Sequence, residues 1–164
     1  LFCSHLLTAM FISMADGFEA TRNTETAEAV VRGVSRLMRN LGESCLNEFI
    51  LKTGRRVDII SVDRKGDFTV IEVKSSVADF RADNKWHEYL DFCDRFSFVL
   101  PMDFRTDILT ADCGLLLDDS YGAEILRDSL EGSMNASRRK ALTLRFARAA
   151  AKRLMLVNDP PLSI

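Results

Sequence analysis

Three side chains in the first half of the sequence, Asp58, Glu72 and Lys74, form a set suited to phosphoryl chemistry. Glu72 and Lys74 lie two apart within Phe68–Lys74, a run rich in β-branched residues. Successive strand residues point to opposite faces, so these two share one. A second run of this kind, Arg56–Val62, precedes it. Between the two, Asp63, Arg64, Lys65, Gly66 and Asp67 have turn chemistry, with Gly66 free to take positive φ. A hairpin pairing the runs brings Asp58 toward the face of Glu72 and Lys74. Phosphodiester hydrolysis needs an activated water and balanced charge on the phosphate and on the leaving oxygen, and a hard divalent cation held by carboxylates supplies all of these. Mg²⁺ takes oxygen ligands and keeps several waters, so one or two protein carboxylates suffice. Asp58 and Glu72 are the expected ligands, with the backbone carbonyl of Val73 in reach. Lys74 is placed to orient the water and to stabilise charge on the phosphate. The alternative is a solvated charged face, whose ion pair is worth on the order of a few tenths of a kcal/mol.

The elements that carry this set follow from periodicity. Thr24–Asn40 has Ala27, Val30, Val31, Val34, Leu37 and Met38 at helical spacing, with Thr24 as N-cap and Gly42 as stop. Leu46–Lys52 reads as a strand, turning at Thr53 and Gly54 into the hairpin. The sheet thus begins as a three-stranded antiparallel meander packed on the first helix. After Lys74, Asp79 or Asp83 caps a helix running to about Cys93. Arg95–Leu100 is a strand ended by Pro101. Strand, helix and strand imply a parallel, right-handed crossover. Cys113–Leu117 and Ala123–Arg127 form a further hairpin, Asn135 caps a last helix over Ala136–Leu156, and Pro160 and Pro161 close the fold. The class is α/β: a mixed sheet flanked by helices, with an αβββαβ core, an added hairpin and a C-terminal helix.

The length of 164 residues, with 47% hydrophobic and 28% charged content, fits one ordinary globular domain. Leu1–Ser13 is apolar and lacks the basic start of a signal peptide, and Met14 opens a polar stretch. The expected organisation is an extraneous or poorly ordered extension over residues 1–13 and a single domain over residues 14–164. Cys3, Cys45, Cys93 and Cys113 show no metal spacing and suit a reducing cytoplasm. No apolar run is long enough to span a bilayer.

The net charge is −2, yet between Gly132 and Asn158 every charged residue is Lys or Arg. At 100° per residue Arg138, Arg145, Arg148, Lys152 and Arg153 share one broad face, with Ala136, Ala147, Ala150, Ala151 and Leu154 largely opposite. A solvated amphipathic helix explains the bases but not the lack of acids, since mixed signs support a helix better. A phosphate-contacting surface is the favoured reading; an anionic membrane and an acidic protein are the alternatives. Ser75, Arg81 and Lys85 are further phosphate contacts near the metal, with Lys85, Tyr89 and Phe92 on one helix side. Trp86 is read as core rather than as a base-stacking platform. His87, facing away from Trp86, is read as structural rather than as a proton shuttle.

Asp58 followed by Glu72-Val73-Lys74 across a hairpin resembles the PD-(D/E)XK nuclease superfamily, in which an acid ends one strand and Glu-x-Lys sits on the next. The order of elements from Thr24 to Leu100 matches that core. More narrowly, IEVKSSVADFRADNKWHEYLDFCDRFSFVLP (Ile71–Pro101) resembles the MmcB family of proposed DNA-repair nucleases. The resemblance implies a restriction-endonuclease-like fold and a DNA endonuclease using Mg²⁺, with Mn²⁺ as substitute. Many superfamily members add an acid from the first helix; Glu28 is the choice here, with Glu25 second. Val57 rather than Pro precedes Asp58. The competing readings are a non-catalytic DNA-binding module on the same fold and a resolvase-like homodimer acting on junctions.

Overall fold

The structure is a computed structural model that describes residues 27–83, 85–102, 113–119 and 121–160. Residues 27–40 are helical (α1). Strands β1 (Ser44–Ile50), β2 (Arg56–Val62) and β3 (Phe68–Val73) follow, then helix α2 (Val77–Ala82) and a 3₁₀ helix (Trp86–Phe92). Strands β4 (Arg95–Pro101), β5 (Gly114–Asp118) and β6 (Ala123–Arg127) and helix α3 (Ala136–Asn158) complete the order. The six strands lie in sequence order in one sheet. β1, β2 and β3 form the expected antiparallel meander, β3–β4 and β4–β5 are parallel, and β5–β6 is an antiparallel hairpin. This is the mixed α/β sheet anticipated, and it is consistent with a restriction-endonuclease-like fold. No helix among the described residues is long and apolar enough to cross a membrane.

Each face of the sheet has its own core. On one, Val30, Val34 and Met38 of α1 pack on Ile59, Ile71, Val99 and Leu116. On the other, Leu142, Phe146 and Ala149 of α3 join Trp86 and Tyr89 over Phe68, Val70, Phe96 and Phe98. Gly33 lets α1 approach the end of β5: a Cβ there would stand 2.6 Å from Asp118 Oδ1. Arg36, on the same helix, donates to the Tyr121 carbonyl.

Strict alternation fails once in β1 and once in β2. Leu46 and Phe49 both join the α3-side core, as do Val57 and Ile60, although each pair is three residues apart. The pairs Asn47↔Ile59 and Phe49↔Val57 bracket the irregular positions, Glu48 and Asp58. Glu48 has φ 47°, in the left-handed region that non-glycine residues rarely enter.

Several expected boundaries shift. β1 begins at Ser44 and ends at Ile50, not Lys52, because the turn starts sooner: Leu51 exchanges hydrogen bonds with Arg55 and Gly54, and Gly54 takes φ 85°. The single helix expected up to Cys93 is two pieces. Ser76, not Asp79 or Asp83, is the N-cap of α2, accepting from Asp79 N. Asp83 instead terminates α2 in an extended conformation, its side chain taking the Lys85 amide. Pro101 is the last residue of β4, paired with Asp118, rather than a residue beyond it. α3 runs two residues past Leu156. The Thr24 cap, Glu25 and the extension over residues 1–13 lie outside the described residues.

Candidate active site

The β2–β3 ladder runs from Val62↔Phe68 to Ile59↔Ile71. Beyond Ile59 and Ile71 the backbone amides are satisfied by carboxylates of the opposite strand. Asp58 N donates to Glu72 Oε1 (3.3 Å), and Val73 N donates to Asp58 Oδ2 (2.8 Å). The two acids therefore meet at the seam where the strands part. β3 stays anchored on its other side, with Lys74 N donating to Val99 O.

Asp58, turned by the irregularity in β2, opens into a cavity of about 740 Å³ between α1 and the sheet, which Val73 also lines. α1 contributes Glu28 and Arg32 to its wall, β1 contributes Glu48, and β2 contributes Arg56. Ser75 and Asp79 close the side toward α2. Glu72 alternates with Ile71 and Val73 and so shares the face of Phe68 and Val70, where it is buried. Lys74 is on that face too, its Nζ 5.7 Å from the centre of the Phe98 ring. That ammonium lies 4.0 Å from Glu72 Oε2 and 2.6 Å from Asp83 Oδ2. Of the predicted trio only Asp58 lines the cavity; Glu72 and Lys74 lie on the other face of the sheet rather than sharing one with Asp58, the two acids touching through each other's backbone amides, and Asp83 joins Lys74 at the end of α2.

Burial in this low-dielectric setting shapes the charges. Desolvation, reinforced by Asp58, pushes the Glu72 carboxyl up to about 8. Desolvation also raises Asp58, against the hydrogen bond from Val73 and the charges of Lys74 and Arg56. Burial alone would depress Lys74, but Asp83 and Glu72 outweigh it and hold the ammonium above the usual lysine value. Burial likewise opposes ionisation of Asp83, yet the bond from Lys74 keeps it below the usual carboxylate range. The seam carries three carboxyl groups and one ammonium; Glu72 holds its proton up to about pH 8, and a divalent cation bound there would take that proton's place. The donors are hard oxygens, the kind Mg²⁺ takes, so residues and ion fit in donor chemistry. Among the described residues no group of three His, Cys, Asp or Glu side chains is arranged to hold a metal, and two carboxylates with a carbonyl would be the protein's whole share.

Residues 15–161 match the family model of MmcB-like DNA repair proteins. The chain belongs to that family. A solved structure from Silicibacter pomeroyi, SPO1766, a protein of unknown function, is 44% identical. It superposes with a TM-score of 0.76 over 80% of this chain and 90% of its own. No curated protein matches.

The remaining predicted positions of this MmcB-like chain divide in two. Ser75 and Glu28 reach the cavity; Ser75 donates to Asp79, and exposed Glu28 pairs with Arg32. Arg81 and Lys85 are exposed and do not line it. Lys85, Tyr89 and Phe92 do not form one side, because the segment is a 3₁₀ helix and α-helical spacing does not apply: Tyr89 is buried and Lys85 exposed. Trp86 is core, stacked on Phe96 at 5.2 Å. His87 does not face away from it; the rings stack at 3.7 Å.

The helix α3 buries Leu142 and half-buries Phe146 and Ala149, whereas Ala136, Ala147, Ala151 and Leu154, opposite the basic face, are exposed. Arg138 pairs with Asp91 over the Phe92 ring. Arg145 and Arg153 donate to the Ile50 and Glu48 carbonyls of β1. Arg148 and Lys152 remain as exposed bases.

Asp83, Asp79, Arg32 and Arg56 escaped the sequence-based site. Two signals were readable. Ser76-x-x-Asp79 has the spacing of a helix N-terminal cap, which fixes where α2 starts and sends Asp79 back to the Ser75 amide. Arg56 lies two residues before Asp58.

Proposed function

We propose that this MmcB-like chain is a metal-dependent DNA endonuclease serving repair in the cytoplasm. One observation carries the reading: two acids from adjoining strands meet at a parted seam, beside a lysine kept charged by Asp83. Asp58, Glu72 and the Val73 carbonyl would hold Mg²⁺ or Mn²⁺. The ion would supply Lewis acidity toward a phosphoryl oxygen. Lys74 supplies fixed positive charge toward the phosphate, and Asp83 holds its ammonium in place. The aromatic wall of Phe98, Phe96 and Tyr89 keeps bulk water from that side, so charges act more strongly there. Glu28 reaches the cavity from α1 as the additional acid. Arg148 and Lys152, with Arg138 and Arg145, give α3 a surface for DNA phosphates, alongside Ser75.

The test is incubation of purified chain with supercoiled, single-stranded and branched DNA in Mg²⁺ or Mn²⁺. Nicking is expected in at least one form, and Lys74→Ala should abolish it with an unchanged circular dichroism spectrum. Equal cleavage by both proteins ends the nuclease reading. A second reading, a DNA-binding module without turnover, is favoured by the exposed bases Arg148 and Lys152 of α3. It predicts salt-sensitive DNA binding that persists in chelator, no cleavage, and no heat of Mg²⁺ or Mn²⁺ binding that Asp58→Asn removes.

A further inference from the structure

Two arginines line the cavity into which Asp58 opens, and neither belongs to the Asp58, Glu72 and Lys74 set. Arg32 comes from α1 and Arg56 from β2, so they stand on different walls. Each touches one glutamate through one nitrogen: Arg32 Nη1 is 3.5 Å from Glu28 Oε2, and Arg56 Nη1 is 3.4 Å from Glu48 Oε1. All four side chains are at least 60% exposed.

Other arginines of the chain are held differently. Arg55 grips Glu88 with two bonds, at 2.9 and 3.0 Å, and Arg139 spans both oxygens of Asp94. The forked geometry of guanidinium rewards such two-point contacts. A single long contact between exposed groups returns little for the side-chain freedom it costs. Arg32 and Arg56 are thus loosely held, with most of their five donors available.

We propose that Arg32 and Arg56 form a clamp for the non-bridging oxygens of a DNA phosphodiester entering the cavity, each exchanging its glutamate for the phosphate. This rests on the nuclease reading and names the residues that receive the substrate backbone at that site. A cavity walled by Asp58, Asp79, Glu28 and Glu48 repels an anion unless bases on its rim oppose them. Arg56 is near enough to Asp58 for its charge to favour the ionised carboxylate. Glu28 and Glu48, when released, return to water they already contact, so the exchange costs little.

Binding of a fluorescent duplex and a fluorescent single strand is measured against salt concentration, with Ca²⁺ replacing Mg²⁺ to hold cleavage off. Arg32→Ala and Arg56→Ala are each expected to weaken binding about fivefold and to lower the salt slope by about one. Glu48→Gln should tighten binding when Arg56 is present and leave it unchanged in the Arg56→Ala background. The arginines are exposed, so thermal melting should confirm that the variants fold. Unchanged affinity and slope in the arginine variants, equal tightening by Glu48→Gln in both backgrounds, or no DNA binding at all overturns the clamp. Cleavage with Mg²⁺ is scored separately. Arginine-dependent binding without cleavage sinks only the nuclease reading, and cleavage with arginine-independent binding sinks only the clamp.

Discussion

Asp58 and Glu72 each satisfy a backbone amide of the other's strand, so they are structural and chemical groups at once. Substitutions must separate the two roles. Asp58→Asn keeps an acceptor for the Val73 amide and removes the charge; it should lose divalent-ion binding in calorimetry while melting near the wild-type temperature. Asp58→Ala strands that amide and should cost a further ~1–3 kcal/mol in chemical denaturation. Glu72 adds a pH dependence. The folded chain keeps its proton up to about pH 8, whereas the unfolded chain releases it near 4.5. The contribution is full below pH 4.5 and is lost as the pH rises through 8. In chelator, the melting temperature should fall across that window; Glu72→Gln should flatten the profile, and Mg²⁺ should restore stability at its alkaline end. Asp83→Asn leaves the buried Lys74 ammonium without the negative charge of its 2.6 Å partner. A loss of about 2–4 kcal/mol is expected, somewhat under the figure for a fully buried pair, read as a lower denaturant midpoint.

Among the elements, α3 is held at its start by Arg138, on Asp91, and most extensively by Arg139. Arg139 donates to both Asp94 oxygens, to Asp67 and to the Gly66 carbonyl, while Asp94 also accepts from the amides of Phe68 and Met134. Arg139→Ala leaves Asp94 buried without its counter-charge and should lower stability by about 3 kcal/mol, seen as a drop of several degrees in melting temperature. That role was hidden in the sequence, where Arg139 is one more base in a basic helix. The hairpin was legible, since β-branched runs flank a turn whose Gly66 takes φ 86°. So was the crossover, because a helical stretch between two strands leaves few other topologies. What periodicity could not carry was its own local failure. The out-of-step residues at Glu48 and Asp58 move side chains from the face that strict alternation assigns, and no composition signal marks them. The 3₁₀ segment escaped likewise: its apolar residues suit an α-helix, and the hydrogen bonds at Asp83 mark where α2 ends.

Taken whole, the chain is acidic overall but concentrates bases on α3, and tertiary contacts sort those bases. Arg145 and Arg153 reach the carbonyls of β1, a strand at the sheet's edge, which occupies groups that could otherwise pair with another chain. Arg148 and Lys152 are the bases to test for DNA. Arg148→Ala and Lys152→Ala should each lower the salt slope of DNA binding by about one with no change in melting temperature. Arg138→Ala, which loses Asp91 and the face of Phe92, should alter melting as well.

The same helix that supplies Glu28 and Arg32 rests on the sheet at Gly33, where the absence of one methyl group permits contact with Asp118. Gly33→Ala would set a methyl against the Asp118 carboxylate, so either that side chain turns aside or the helix gives way, and the wall that carries Glu28 and Arg32 is tied to a contact at the end of β5.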